Sequence, residues 1–156
     1  MTNSKVQIRN ALPADGDAML AMMPRLADFE VPAHRKAEDL WAGDAAMLRR
    51  WLAGDADQCL VQVAVLADEI VGFTLTSLRP DPLSHEPSAH LEAIAVAPGS
   101  EGLGAGKALL QAAEDNARQH GAGAMTLHVI SSNRRARAIY EHCGYRDEML
   151  RYIKPL

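Results

Sequence analysis

The sequence predicts a mixed α/β fold, a β-sheet with crossover helices, and three observations predict it. In the second half, β-rich runs alternate with runs of helical period: 89–97, then 99–120, then 125–130, then 133–142. In the middle, CLVQVAVL (59–66) and IVGFTLTSL (70–78) flank the short turn Ala67-Asp68-Glu69 and read as a hairpin. The 156 residues, 48% apolar and 23% charged, suit a single domain spanning 1–156. A chain of that size buries roughly 68–70% of its unfolded surface.

The elements follow in order. Val6 to Arg9 reads as a short strand. Pro13-Ala14-Asp15 starts a helix with Asp15 as N-cap, and Met19, Leu20, Met23 and Leu26 continue it at helical spacing. Pro24 kinks or shortens that helix, because proline lacks the N–H and its ring clashes with the preceding turn. Residues 28–35 read as a loop. Glu38 to Ala53 reads as a second helix with Leu40, Trp41, Met47, Leu48, Trp51 and Leu52 as its apolar residues. After the hairpin, residues 79–88 hold three prolines and read as a loop. AHLEAIAVA (89–97) is a third long strand, stopped by Pro98. A glycine-rich turn then feeds a helix that Gly121 closes. A strand over 125–130, a helix over 133–142 closed by Gly144, and a last strand within 145–153 complete the chain.

Charge and composition exclude several functions. Sixteen Lys and Arg against twenty Asp and Glu give a net charge of −4, which rules out a whole-protein field for nucleic acid. No apolar run approaches the ~18 residues that span a bilayer, and Met1-Thr2-Asn3-Ser4-Lys5 runs into the first strand with no secretory core. No membrane partner is expected. Cys59 and Cys143 form no CxxC pair, and free thiols suit a reducing cytoplasm. The six histidines form no HxxxH or HExxH, so no metal site is expected.

The segment GSEGLGAGKALLQAAEDNARQH (99–120) is the most informative. Gly102, Gly104 and Gly106 let the backbone turn tightly and let a ligand approach its N–H groups. The following helix start adds unsatisfied donors and a partial positive charge, which together suit a phosphate or diphosphate. Neither nucleotide fingerprint fits. A P-loop needs glycine where Glu101 stands and Ser or Thr where Ala108 stands; GxGxxG needs glycine where Lys107 stands.

The run LEAIAVAPGSEGLGAGKALL, followed by NRRARAIYEHCGY, resembles the GCN5-related N-acetyltransferase (GNAT) family over residues 91 to 145. The first run is similar to that family's central strand and (Q/R)xxGx(G/A) loop. The second is similar to its last helix, with an Asn, an aromatic pair of positions and a closing Gly-Tyr. The resemblance implies a mixed, mostly antiparallel central sheet of about six to seven strands flanked by about four helices. It implies acetyl-CoA as co-substrate. Backbone amides of Leu103, Gly104, Ala105, Gly106 and Lys107, with Gly102, would hold the diphosphate. The central strand at Ile94, Ala95 and Val96 would pair with the pantetheine arm, and Asn133 and Arg135 would contact the coenzyme. One departure stands out: Glu101 occupies the position where the family has Gln or Arg.

Acetyl transfer to an amine needs a base for the amine, donors for the oxyanion and a proton for the departing sulfur. Tyr140 matches the family's proton donor, and it also touches the coenzyme side. Glu92, on the strand before the loop, is the candidate base, with His90 second; strand parity places Glu92 with Ile94 and Val96, and Leu91 with Ala93 and Ala95. The resemblance therefore implies an N-acetyltransferase working by direct transfer in a ternary complex. Its acceptor is a small primary amine, with a protein amine as the lesser choice and a homodimer as the family's common assembly. Asp28, Glu30, Glu38 and Asp39 cluster around the first two helices, either near a cationic acceptor or as a solvated face. The alternative reading is a non-catalytic acyl-CoA-binding regulatory module.

Overall fold

The structure, a computed structural model, describes residues 5–156; residues 1–4, expected to lead straight into the first strand, lie outside the described residues. In chain order the elements are β1 (Gln7–Asn10), α1 (Gly16–Met22), α2 (Ala42–Leu52), β2 (Cys59–Leu66), β3 (Glu69–Pro80), β4 (Pro87–Val96), α3 (Ala105–Gln119), β5 (Met125–Leu127) and α4 (Arg134–His142). The five strands lie side by side in sequence order. The first four pair antiparallel and β5 joins β4 in parallel, after the α3 crossover.

The mixed, mostly antiparallel sheet and four α-helices match expectation, but the described residues hold five strands rather than six or seven. The strand expected within 145–153 does not form, and the one expected over 125–130 pairs only to Leu127. The sequence accounts for the first. Met149-Leu150-Arg151-Tyr152-Ile153 puts apolar side chains on both faces of any strand, so no alternation fixes a register. Met149, Leu150, Tyr152 and Ile153 are all exposed.

Local rules explain most boundaries. Pro24 ends α1 at Met22 and opens a 3-10 turn over Met23–Ala27. Asp15 does not cap α1 through its side chain. Its carboxylate instead reaches back to the Arg9 guanidinium, at 2.7 and 3.0 Å, and to the Leu12 N–H at 2.7 Å. Ala67 and Asp68, both at positive φ, make the two-residue β2–β3 turn. The loop expected over 79–88 is shorter, because Pro80 and Pro87 face each other at the ends of β3 and β4. Asp81 closes it, its Oδ1 accepting from the Leu83 and Ser84 N–H groups at 2.9 and 2.8 Å.

The sheet buries both faces. On one, Val61, Val63, Phe73, Leu75 and Ala93 pack against Met19 and Met22 of α1, Met23 beyond it, and Leu48 of α2. On the other, Ala64 and Val71, with Ile94 and Val96, pack against Ala105 and Leu109 of α3. Gly72 permits that second contact: a Cβ there would lie 2.9 Å from both the Ala95 carbonyl oxygen and Leu109 Cδ1.

A β-bulge interrupts the β3–β4 ladder. Leu75 faces Ala93, but Thr76 faces Leu91, so Glu92 is the extra residue. Simple parity therefore fails here. Leu91 packs with Leu110 and Ala113 on the α3 side while Ala93 lies on the α1–α2 side. Glu92 is removed from the Ile94 and Val96 face and points toward Ser77, which faces Cys59 and His90 across the ladder.

Candidate active site

Beyond the bulge, β4 has an open edge. β5 pairs only with Ala89, His90 and Leu91, so nothing in the sheet lies beside Ile94, Ala95 and Val96 on that side. The open edge runs into the glycine turn. Gly102 and Gly104 sit at φ +79° and +80°, and Gly104 is the N-cap of α3. Ala108 donates the first backbone bond of the helix, to the Gly104 carbonyl at 3.0 Å. Among the described residues no protein acceptor takes up the N–H groups from Gly102 to Lys107. Leu103 and Lys107 project to solvent beside them.

At the other end of the edge stand the carboxylates. The Ser77 hydroxyl donates to Glu92 Oε1 at 2.5 Å, and the Arg79 guanidinium lies 3.7 Å from the same oxygen. Asp44 of α2 adds a second carboxyl group. Burial, and then the Glu92 charge, push it up to about 7. Burial and the same charge also push the Cys59 thiol upward, with Arg50 opposing. His90 is buried, and burial with the Arg79 charge lowers it to about 4, so it is neutral near pH 7. His90 Nδ1 and the Thr126 hydroxyl are hydrogen-bonded at 2.7 Å, and the same hydroxyl lies 3.4 Å from the Ala89 carbonyl. The His90 ring lies 4.6 Å from that of His128, tilted by 59°, at the point where β4 and β5 part.

On the far side, Tyr140 of α4 packs with Leu91, Leu110 and Ala113 and meets the Tyr145 ring edge-on at 5.9 Å. Burial raises it above the ordinary phenol value, so it stays protonated through neutral pH. Asn133 caps α4, its Oδ1 accepting from the Ala136 N–H at 3.2 Å. Glu101 does not point away from the loop region unpaired. It binds Arg25, from the turn after α1, and lies 3.6 Å from Arg135 of α4. Arg25 Nε also donates to the Val96 carbonyl at 3.1 Å, at the end of β4.

The sequence pattern of the acetyltransferase (GNAT) family matches residues 22–145. The chain belongs to the GNAT family. The N-acetyltransferase YhfO of Bacillus subtilis, itself uncharacterised, is 30% identical over 143 residues, which cover 92% of this chain and 91% of that protein. A mycothiol acetyltransferase of Paenarthrobacter aurescens is 32% identical over 120 residues, 76% of this chain but 32% of that longer protein. Aminoglycoside N-acetyltransferase AAC(6')-Iy, solved in complex with CoA, shares the fold at a TM-score of 0.73 and 20% identity, over 98% of this chain and 96% of its own. The same enzyme has been solved with the bisubstrate analogue CoA-S-monomethyl-acetylneamine. This GNAT chain is thus an N-acetyltransferase with one mixed α/β sheet.

The residues present fit a coenzyme of the GNAT type. The unengaged N–H groups of the turn suit a diphosphate. Gly106 is not required by packing, since a Cβ there would meet only Val96 Cγ2, at 3.7 Å; the space above the first turn of α3 is free for a ligand. A cavity of about 440 Å³ lies elsewhere, between the end of α3 and Cys143–Arg146.

Sequence reasoning missed Asp44 and Arg25. Asp44 was legible: it lies one turn from Leu40 and from Leu48, on the inward stripe of α2. Arg25 carried no signal, because its partners are 71 and 76 residues away. Of the acidic cluster, Asp28 binds Arg25 and Asp39 accepts from the Lys36 N–H at 2.8 Å, so both serve local structure.

Proposed function

We propose that the protein transfers an acetyl group from acetyl-CoA to a small primary amine, directly, in a ternary complex. The observation that carries this reading is the open edge of β4, with a carboxylate pair at one end and an unengaged glycine cradle at the other. The amide N–H groups from Gly102 to Lys107 hold the diphosphate, and Ile94 to Val96 hold the pantetheine arm by main-chain bonds. Asn133 and Arg135 flank it. Acetyl-CoA, when bound, supplies the acyl group as a thioester.

The acceptor lies on the Glu92 side. Glu92 takes the amine proton, directly or through water, while Ser77 orients its carboxylate. Asp44, close to half-protonated near pH 7, adds negative charge as pH rises and so favours a cationic amine. Main-chain N–H groups of β4 near Ile94 stabilise the oxyanion. Tyr140, protonated through neutral pH, holds the proton for the departing sulfur. That AAC(6')-Iy, of the same fold, has been solved with CoA and with a CoA–acetylneamine bisubstrate analogue supports the pairing of a coenzyme with an amine.

Free-thiol release from acetyl-CoA, measured over a panel of primary amines that includes aliphatic diamines and an aminoglycoside, tests the proposal. Turnover is expected with at least one amine, and Tyr140→Phe lowers kcat by about 10²-fold. CoA binding without turnover on any amine replaces the enzyme reading by the binding-module one. An unchanged Tyr140→Phe removes Tyr140 from the chemistry.

A further inference from the structure

Glu101, the one departure from the family loop, has two arginine partners drawn from distant parts of the chain. Arg25 is held firmly: Nε donates to the Val96 carbonyl at 3.1 Å, one terminal nitrogen binds Asp28, and the other binds Glu101. Its side chain is 22% exposed, against 73% for Arg135, which approaches the same Glu101 oxygen at 3.6 Å from the first turn of α4. The three charges span the gap between the end of β4 and the start of α4. A neutral bond ties the loop after Arg25 to the segment before α4, since the Ser132 hydroxyl donates to the Glu30 carbonyl at 2.7 Å.

Two guanidinium groups converging on one anion, next to a row of unengaged N–H groups, form a site for a larger anion than a carboxylate. A diphosphate offers more oxygens in the fork geometry that arginine matches, and it alone satisfies the main-chain donors. We infer that Arg25 and Arg135 bind the coenzyme diphosphate, and that Glu101 is an internal anion holding both arginines until the coenzyme displaces it. This rests on the coenzyme reading above and adds Arg25 to it. Glu101, 38% exposed at its side chain, then turns to solvent, but its charge stays beside the phosphates. The protein therefore binds its coenzyme less tightly than a neutral side chain at that position allows.

Calorimetric titration of the full chain with CoA tests this, using wild type, Glu101→Gln, Arg25→Gln and the double variant. Glu101→Gln is expected to tighten CoA by about three- to tenfold, the size of one partly exposed ion pair. Arg25→Gln is expected to weaken it by a similar factor, and the gain from Glu101→Gln shrinks in the Arg25→Gln background. Inorganic pyrophosphate as competitor should show the same order. Glu101→Gln that binds CoA no better than wild type overturns the inference, because the carboxylate then builds the cradle instead of occupying it. Wild type that fails to bind CoA at all overturns the coenzyme reading itself. Thermal melts of each variant without ligand separate loss of fold from loss of binding.

Discussion

Replacing Asp44 by asparagine is expected to stabilise the coenzyme-free protein above pH 7 and to have a smaller effect in acid. Burial and the Glu92 charge raise Asp44 from 3.8 to about 7. The folded state thus holds a proton that the unfolded chain releases near pH 4. Stability falls as pH rises through that window, and the loss is complete above pH 7. One pH unit corresponds to about 1.4 kcal/mol, so the window sets an upper bound of about 4 kcal/mol. Asp44 is only partly buried and Arg79 offsets the Glu92 charge, so we expect about 1–2 kcal/mol. Asparagine has nearly the same shape and never carries the charge. At roughly 2–4 °C per kcal/mol for a chain of this size, the variant melts about 2–8 °C higher at pH 8. Circular dichroism melts of both proteins at pH 5, 6.5 and 8 read the difference, in which the titration of other groups largely cancels. A gap that does not grow with pH refutes the reasoning, and a variant less stable than wild type at pH 8 shows that the carboxylate is charged and compensated.

Two further outcomes follow from local geometry. Asp15→Asn removes the charge that holds the Arg9 fork and the Leu12 N–H, and it costs about 1–2 kcal/mol at pH 7 by urea unfolding. The Arg9 bond lowers Asp15, so its stabilisation is present above pH 3.8 and is lost as pH falls through the depressed value; the deficit of the variant disappears in strong acid. Gly104→Ala places a Cβ at φ +80° with nothing within 4 Å, so the fold loses only about 1 kcal/mol in a thermal melt. Calorimetry should show CoA affinity falling by about tenfold or more, since the methyl intrudes on the diphosphate's approach.

What was legible in the sequence was whatever short-range chemistry fixes. Pro24 marked the end of α1, the apolar periods marked α2 and α3, and the glycine spacing marked the turn that opens α3. Asn133 stands directly before a helical run, where asparagine favours the cap, and it caps. The missing last strand was legible only in part: the apolar residues of 149–153 leave no alternation to fix a register, but whether another segment offers an edge is not written locally. Arg25 was hidden for the same reason: an arginine in a surface turn has no meaning until the partner 76 residues away is in place. Glu101 shows the intermediate case. Its departure from the loop pattern was visible, but its partners were not.

Glu92 marks the sharpest limit of pattern reading, and it shows why the limit falls at the site. Alternation along AHLEAIAVA assigned it to the face of Ile94, because period two is the rule for a regular strand. A bulge breaks that rule through register, which belongs to two strands at once and is written in neither. Here the bulge gives one strand two uses. Before it, β4 is paired on both edges and turns the Glu92 side chain toward Ser77 and the α2 carboxyl group. After it, β5 is gone, and the edge of Ile94 to Val96 has no neighbouring strand, with Ile94 and Val96 turned to α3 and Ala95 to the opposite face. A regular strand would put the carboxylate among the α3-facing side chains and away from Asp44. The irregularity that defeats the sequence pattern is therefore what brings the Glu92 carboxylate and an unpaired strand edge within one short segment.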